Sequence, residues 1–250
     1  MTTNHCRPLC FLAVILALAI VPHAASAQSL PTVHKTTLGE MAQATPEVST
    51  EEVVRILASG SEPLLDVRSP EEFAIAHIPG SINLYEKEVE LVRQRYPDKA
   101  TRLVFYCNGP FCGKSKRLSE QLVVLGYTHV RRYQLGLPVW RALGHTVQTD
   151  LGGFRYIYQG DKTAVYVDAR GAAAAAKGTV PGAVSIQPGE AEKANEDGRL
   201  PYKDKGTRVI VFADSADAAR KVAEEIAGKA YWNSSYFGGT FADLKATKLW

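Results

Sequence analysis

The stretch that decides the fold is Leu64-Leu65-Asp66-Val67-Arg68, an apolar run that ends in an acid and a base two residues apart. It recurs at residues 165–170 as Val-Tyr-Val-Asp-Ala-Arg, with the acid and the base both displaced by 102 positions. The same displacement separates Pro79-Gly80 from Pro181-Gly182. An ordered set of matches at a constant offset predicts two copies of one domain.

Each copy alternates short apolar runs with amphipathic stretches, which is typical of βαβ units and a parallel sheet. The sequence therefore predicts an α/β protein with two tandem domains, at residues 45–150 and 151–250, each a central parallel sheet flanked by helices. An alanine run at 172–176 takes the place of a short helix in the second copy, because alanine favours helix. In the first copy the predicted strands are 64–66, 82–84 and 103–106, and the predicted helices begin at Ser49, Ser69, Val89 and Gly113.

The N-terminal segment has the order of a secretory signal peptide. Arg7 precedes an uninterrupted apolar run at residues 11–21, and Ala25-Ser26-Ala27 supplies the small residues of a cleavage site. The run is shorter than the ~20 residues that span a bilayer. We therefore expect a signal peptide at residues 1–27, a loose leader at 28–44, and a periplasmic or secreted protein without stable membrane insertion.

Composition excludes several classes of protein. The chain has 250 residues, of which 46% are hydrophobic and 22% charged, which argues against disorder or a fibrous repeat. The net charge is only +3 and the basic residues are scattered, so nucleic acid is not an expected partner. The cysteines and histidines show no zinc-ligand spacing, and we expect no metal.

The chemistry is predicted at Cys107, which follows a buried strand and precedes a glycine-containing turn and a helix. Ligands of open parallel sheets bind beyond the carboxyl ends of strands. Backbone N–H groups at a helix start favour a thiolate and hold an anionic substrate. A buried structural cysteine is the alternative interpretation. The predicted substrate-binding loop is Asn108, Gly109, Pro110, Phe111, Cys112, Gly113 and Lys114.

A family resemblance adds to this interpretation. The segment at 64–68, followed by Glu71-Glu72-Phe73 and by residues 77–81, resembles the opening signature of rhodanese domains. Tyr106-Cys107 matches the position of their catalytic cysteine, and residues 125–147 resemble their closing segment. The resemblance implies a sulfurtransferase in which Cys107 takes a sulfane sulfur from a donor such as thiosulfate and becomes a persulfide. It implies a small sulfur-containing anion and a thiol or cyanide-like acceptor as partners, and no cofactor.

The chain also departs from that family. Lys114-Ser115 comes two residues later than in the commonest single-domain pattern. This longer loop argues against thiosulfate as the true donor. Relatives with longer loops that act on larger oxyanions carry arginine six places after the cysteine. Here that position is Gly113, which disfavours phosphatase activity. The second copy contains no cysteine, and its corresponding loop carries Asp214 and Asp217.

Alternatives remain open for several residues. Asp66 and Arg68 are expected to support the site as an ion pair that ties loops together, while steering of an anionic substrate by Arg68 is the rival interpretation. Cys112 is either a small apolar residue or a redox partner of Cys107. The competing functions are a thiol–disulfide or persulfide reductase that uses both cysteines, and a non-catalytic binding protein.

Overall fold

The computed structural model describes Met1 and residues 43–250. The predicted signal peptide and nearly all of the predicted leader lie outside these residues. Within residues 43–250, no helix has the length and apolar character needed to cross a membrane.

The first half is a four-stranded parallel sheet with the strand order β2-β1-β3-β4. The predicted strands and helix starts of this half are confirmed to within one residue. Its elements are α1 (Thr50–Ser59), β1 (Leu64–Asp66), α2 (Pro70–Ile75), β2 (Ile82–Asn83), α3 (Val89–Arg95), β3 (Leu103–Tyr106), α4 (Lys114–Val124), β4 (Val130–Tyr133) and α5 (Gly136–Ala142).

The second half is a five-stranded parallel sheet with the order β5-β9-β8-β6-β7. Its elements are β5 (Val147–Thr149), α6 (Leu151–Gly160), β6 (Val165–Asp168), α7 (Ala172–Ala175), β7 (Val184–Ser185), α8 (Ala191–Glu196), β8 (Val209–Phe212), α9 (Ala216–Ala227), β9 (Ser234–Phe237) and α10 (Phe241–Ala246). Two parallel sheets flanked by helices confirm the predicted α/β class.

The edge strands show how the two copies correspond. Strand β5 pairs with β9 in the second sheet. At the equivalent edge of the first sheet, Glu47 forms a single parallel bridge to Arg132 of β4. The first strand of the second sheet, β5, begins at Val147, which lies just before the predicted domain limit at residue 150. The domain limits themselves stay a prediction.

Serine side chains cap the first two helices, α1 and α2. The Ser49 hydroxyl accepts a hydrogen bond from the N–H of Glu52, at 3.2 Å, at the start of α1. The reciprocal pair of bonds that defines a capping box is present at Ser69 and Glu72, at the start of α2. Proline at the first position of α2 also favours the start of this helix, because the N–H group of that position has no hydrogen-bond partner within a helix.

The alternation of side chains along β3 orients the site. Val104 and Tyr106 pack on one face of the first sheet, with Trp140 of α5. Leu103, Phe105 and Cys107 pack on the opposite face, with Leu118 and Leu122 of α4. Because successive side chains of a strand point to opposite faces, the cysteine directly after β3 faces the helix that follows it.

The two halves meet where the end of α2 contacts β5 and α6. The backbones of His77 and Gln148 exchange two hydrogen bonds, of 3.0 and 2.9 Å. The N–H of Asp150 donates to the Ala74 carbonyl, and a side chain at Gly153 would collide with that same carbonyl. His77 is buried, and its Nδ1 lies 2.9 Å from the Phe73 carbonyl, so the side chain helps to hold this junction.

Candidate active site

Cys107 lies at the carboxyl end of β3, at the start of a loop that leads into α4. Its side chain is 1% exposed. The Sγ atom lies 3.3 Å from the Cys112 carbonyl oxygen and 3.4 Å from the Ser115 hydroxyl of α4. Strand end, loop and helix start therefore meet at the sulfur, in the order that the sequence predicts.

The loop is anchored from the far side by residues that follow β4. The Gln134 side-chain amide donates to the Pro110 carbonyl at 2.9 Å and to the Cys112 carbonyl at 3.2 Å. Gln134 is missed by the sequence analysis. Its signal is its position, since parallel strands that are neighbours in a sheet end at the same edge.

Gly136 explains how closely the backbone after β4 approaches the loop. Its φ is 60°, and an added Cβ would collide with the Cys107 carbonyl and with the N–H of Gly109. The neighbouring Leu137 N–H donates to that Cys107 carbonyl at 3.2 Å. Glycine meets both requirements because it has no Cβ and tolerates positive φ.

The two thiols act as one titrating pair. A hydrogen bond from the Cys107 thiol lowers the pKa of Cys112 to about 6, against the opposing effect of burial. The backbone N–H groups of Asn108 and Lys114 lower this pKa further. The same thiol–thiol bond, together with burial, raises the pKa of Cys107 above its usual range. Near neutral pH the pair therefore carries one negative charge. The lowered pKa of Cys112 and the raised pKa of Cys107 favour the charge on Cys112, and the thiolate at Cys107 stays a prediction.

The Asp66–Arg68 pair ties the loop to the sheet. Arg68 Nη2 lies 2.5 Å from Asp66 Oδ2, and the two side chains are 4% and 0% exposed. The guanidinium also donates to the Ala76 carbonyl at 2.6 Å and to Asn108 Oδ1 at 3.2 Å. The pair thus connects three segments, which agrees with the expected loop-tying ion pair.

Glu72 is a second residue that the sequence analysis missed as part of the site. Its carboxylate accepts hydrogen bonds from Asn108 Nδ2 at 2.5 Å and from Lys114 Nζ at 3.2 Å. Burial acts to raise the pKa of Glu72, but the bonds from Asn108, from the Ser69 N–H and from Lys114 lower it. Lys114 is therefore neutralised by Glu72 in this geometry.

The other predicted loop residues have distinct places. Asn108 is held between Arg68 and Glu72, while Phe111 stands at the loop tip with 84% of its surface exposed. Gly109 and Pro110 form the turn, in which the Cys112 N–H donates to the Gly109 carbonyl at 3.0 Å. Gly113 is the N-cap of α4. Within residues 43–250, no group of three metal-ligating side chains is placed to hold a metal ion.

Comparison with known proteins identifies the family. The sequence model of the rhodanese-like domain matches residues 49–143. Thiosulfate:glutathione sulfurtransferase of Homo sapiens is 36% identical over 109 residues, which cover 38% of this chain and 92% of that protein. The chain belongs to the rhodanese-like sulfurtransferase family. Thiosulfate sulfurtransferase PspE of Escherichia coli K12 is 39% identical to this rhodanese-like protein over 72 residues, which cover 28% of this chain and 66% of that one.

Among solved structures, a thiosulfate sulfurtransferase from Pseudomonas aeruginosa aligns with a TM-score of 0.39 and 22% sequence identity. The alignment covers 81% of this rhodanese-like chain and 42% of that chain. The protein thus spans less than half the length of that structure.

The second half of this rhodanese-like protein repeats the frame of the site without its nucleophile. Arg170 Nη2 lies 2.7 Å from Asp168 Oδ2, and its guanidinium also donates to the Gly178 carbonyl. After β8 comes Ala213 where the first half has Cys107, and the Ser215 hydroxyl caps α9 by accepting the Ala218 N–H. The ion pair therefore belongs to the shared fold, while the thiols belong to the first half.

Proposed function

We propose that this protein is an exported sulfurtransferase that moves a sulfane sulfur from a donor such as thiosulfate to a thiophilic acceptor, through a persulfide on Cys107. The observation that carries the proposal is the position of Cys107 Sγ, between the end of β3 and Ser115 in the first turn of α4. The names of the relatives, both thiosulfate sulfurtransferases, support the donor class.

The hydrogen-bonded thiols supply the proton transfer of the first step. The Cys112 thiolate accepts the proton of Cys107, whose thiolate attacks the outer sulfur of thiosulfate. The sulfur–sulfur bond of thiosulfate breaks, and sulfite leaves with the electron pair. Cys107 then carries a persulfide anion, and Cys112 is a neutral thiol.

The second step returns the enzyme to its resting state. The nucleophilic atom of the acceptor, which is the sulfur of a thiol or the carbon of cyanide, attacks the outer sulfur of the persulfide, and the bond between the two persulfide sulfurs breaks. Cys107 leaves with the electron pair and recovers its proton from Cys112. Loop N–H groups, such as those that lower the pKa of Cys112, stabilise the anion on the outer sulfur between the two steps.

The test compares sulfur transfer in the wild type, Cys107→Ser and Ser119→Ala. Thiosulfate is the donor, and cyanide or a thiol is the acceptor. Ser119 is a matched control because it is buried on α4 and its hydroxyl forms no hydrogen bond to either cysteine. We expect loss of transfer in Cys107→Ser only, with both variants folded. Retention of most activity in folded Cys107→Ser would refute the assignment.

Export rests on the order of charge, apolar run and small residues in the first 27 residues. Expression of the full chain in a bacterium with a periplasm tests it. Cell fractionation followed by N-terminal sequencing should find the mature protein outside the cytoplasm, beginning near Gln28. An uncut cytoplasmic chain would contradict the proposal.

A second candidate function is favoured by the placement of both cysteines in one loop, with Cys107 Sγ 3.3 Å from the Cys112 carbonyl oxygen. Once Cys107 holds a protonated persulfide, a Cys112 thiolate can attack the Cys107 sulfur, form the disulfide and release hydrosulfide. An external thiol reductant then restores both thiols. This reaction would make the protein a persulfide reductase that uses the same two residues.

Intact mass separates the two functions after a single turnover with thiosulfate and no acceptor. A stable persulfide adds about 32 Da of sulfur, whereas a disulfide removes about 2 Da of hydrogen. The Cys112→Ala variant is the matched control, since it can form only the persulfide.

A further inference from the structure

A cavity of about 360 Å³ lies between the two halves, beside the active-site loop. Arg68 and Asn108 line it from the side of the loop, and Arg208 and Trp232 line it from the second half. Arg141, at the end of α5, also lines it. The cavity therefore brings three guanidinium groups together next to the residues that hold the loop.

Most of the charges around this cavity are balanced by neighbours. Arg68 is paired with Asp66, and Arg208 Nε lies 3.2 Å from Asp161 Oδ2. Glu72, the acid that lines the cavity, is engaged by Asn108 and Lys114. Arg141 is the remaining charged residue that lines the cavity.

Arg141 is a half-buried cation that forms no ion pair with any of the described residues. Its Nε and Nη2 atoms are shielded from solvent and have no hydrogen-bond partner among the described residues. Burial, and then the charges of Arg208 and Arg68, lower the pKa of Arg141 to about 10, so it stays protonated at neutral pH. An unpaired buried charge costs free energy, and buried N–H groups are normally hydrogen-bonded. An anion in the cavity that Arg141 lines would balance this charge.

The walls of the cavity indicate an organic anion. Ile75, Leu137 and Pro138 supply apolar surface, and the indole of Trp232 is 53% exposed. The volume lies in the range of about 300–1,000 Å³ that is usual for small-molecule sites. A bare oxyanion would leave these apolar walls uncovered, whereas a carbon chain that ends in a carboxylate matches both the walls and the cation.

We propose that this cavity binds the carboxylate of an organic thiol, the sulfur acceptor, with Arg141 as its binding residue and the thiol directed toward the active-site loop. Carboxylate and guanidinium form charge-assisted hydrogen bonds, and Arg141 lines the cavity without an ion-pair partner among the described residues. The acceptor role rests on the proposed sulfur transfer. The anion site itself rests only on the cavity and on Arg141.

The kinetic test compares two acceptors that differ in charge, 3-mercaptopropionate and 3-mercapto-1-propanol. The variants are Arg141→Met, Arg141→Lys and, as the control for net charge, Arg155→Met on the exposed face of α6. We expect Arg141→Met to raise KM for the carboxylate thiol about tenfold or more, as loss of a hydrogen bond to a charged group predicts. KM for the alcohol and for thiosulfate should stay within about twofold. Arg141→Lys should retain part of the preference, and Arg155→Met all of it.

A binding test reads the cavity without turnover. Calorimetry with 3-(methylthio)propionate, which has no free thiol, should show binding to the wild type and to Cys107→Ser, and loss of binding in Arg141→Met. The corresponding neutral alcohol should bind weakly to all three proteins. If sulfur transfer is absent but this binding is present, the proposed function fails and the anion site stands.

Three results would overturn the proposal. One is an equal change of KM for both thiols in Arg141→Met, and another is a rise of KM for thiosulfate alone, which would make the donor the occupant. The third is binding of 3-(methylthio)propionate that survives in folded Arg141→Met.

Discussion

Replacing Asp66 by asparagine should destabilise the protein and impair sulfur transfer together. Asparagine keeps the shape of the side chain but removes the charge that pairs with Arg68. In the wild type the Asp66 carboxylate accepts bonds from Arg68 Nε and Nη2, and both side chains are almost fully buried. Burial acts to lower the pKa of Arg68, but the hydrogen bond to Asp66 and the negative charge of Asp66 together with further charge interactions raise this pKa above its usual value. In the variant the guanidinium therefore stays charged and loses its partner.

The magnitude follows from that uncompensated charge. Removing one member of a buried ion pair costs about 3–5 kcal/mol. Asparagine still offers one oxygen to Arg68, so we expect the lower end, about 3 kcal/mol. With an m-value of about 2–3 kcal/mol/M in urea, the unfolding midpoint should fall by about 1–1.5 M.

The second half provides a matched control in Asp168→Asn. Asp168 and Arg170 are 1% and 6% exposed and form the same bonds. We expect a stability loss of similar size, about 3 kcal/mol. Arg170 contacts Gly178 and the Phe241 ring, whereas Arg68 contacts Asn108 of the active-site loop.

Sulfur transfer is the assay that distinguishes these two variants. It should be measured in the absence of urea at a temperature where both are folded. Only Asp66→Asn should lower kcat, because only its arginine holds the loop. A loss of stability below about 1 kcal/mol in Asp66→Asn, or an equal fall of kcat in Asp168→Asn, would refute this reasoning.

The remaining predictions concern the thiols and the second half. Wild-type protein should need dithiothreitol for full activity after exposure to thiosulfate, whereas Cys112→Ala should not. Equal dependence on dithiothreitol in the two proteins would show that Cys112 takes no part in the mechanism. Alkylation of the wild type by iodoacetamide should rise as pH increases through about 6, where Cys112 loses its proton, and peptide mapping should place the first label there. In Cys112→Ala the rise of alkylation near pH 6 should be absent, and labelling of Cys107 should need a higher pH. If the first label in the wild type were found on Cys107, the lowered pKa of Cys112 would be contradicted. An isolated 151–250 fragment should show no transfer. An isolated 45–150 fragment should be unstable because it loses α6, which packs against α2, and strand β9, which pairs with β5. A stable, fully active 45–150 fragment would disprove the structural role of the second half.

Local patterns were enough to predict the sheet and its repeat. Continuous apolar runs such as 103–106 indicate strands buried on both faces, and the strand is indeed fully buried. The constant offset from Asp66 to Asp168 predicts equivalent positions, and both acids pair with an arginine two residues later. The position of Cys107 was likewise predictable, because a cysteine directly after such a strand lies at the ligand-binding edge of a parallel sheet.

The tertiary structure alone decided what surrounds that cysteine. Gln134, Glu72 and Arg141 are distant from Cys107 in sequence, and only the folding of the chain brings them to the loop or to the cavity beside it. The pKa values of Cys107 and Cys112 also depend on three-dimensional geometry, since the two thiols differ in burial and in the N–H groups around them. A sequence pattern shows which residues are neighbours along the chain. Whether a charge has a counterion depends on groups that meet only in the folded protein, and Arg141 has none among the described residues around its cavity.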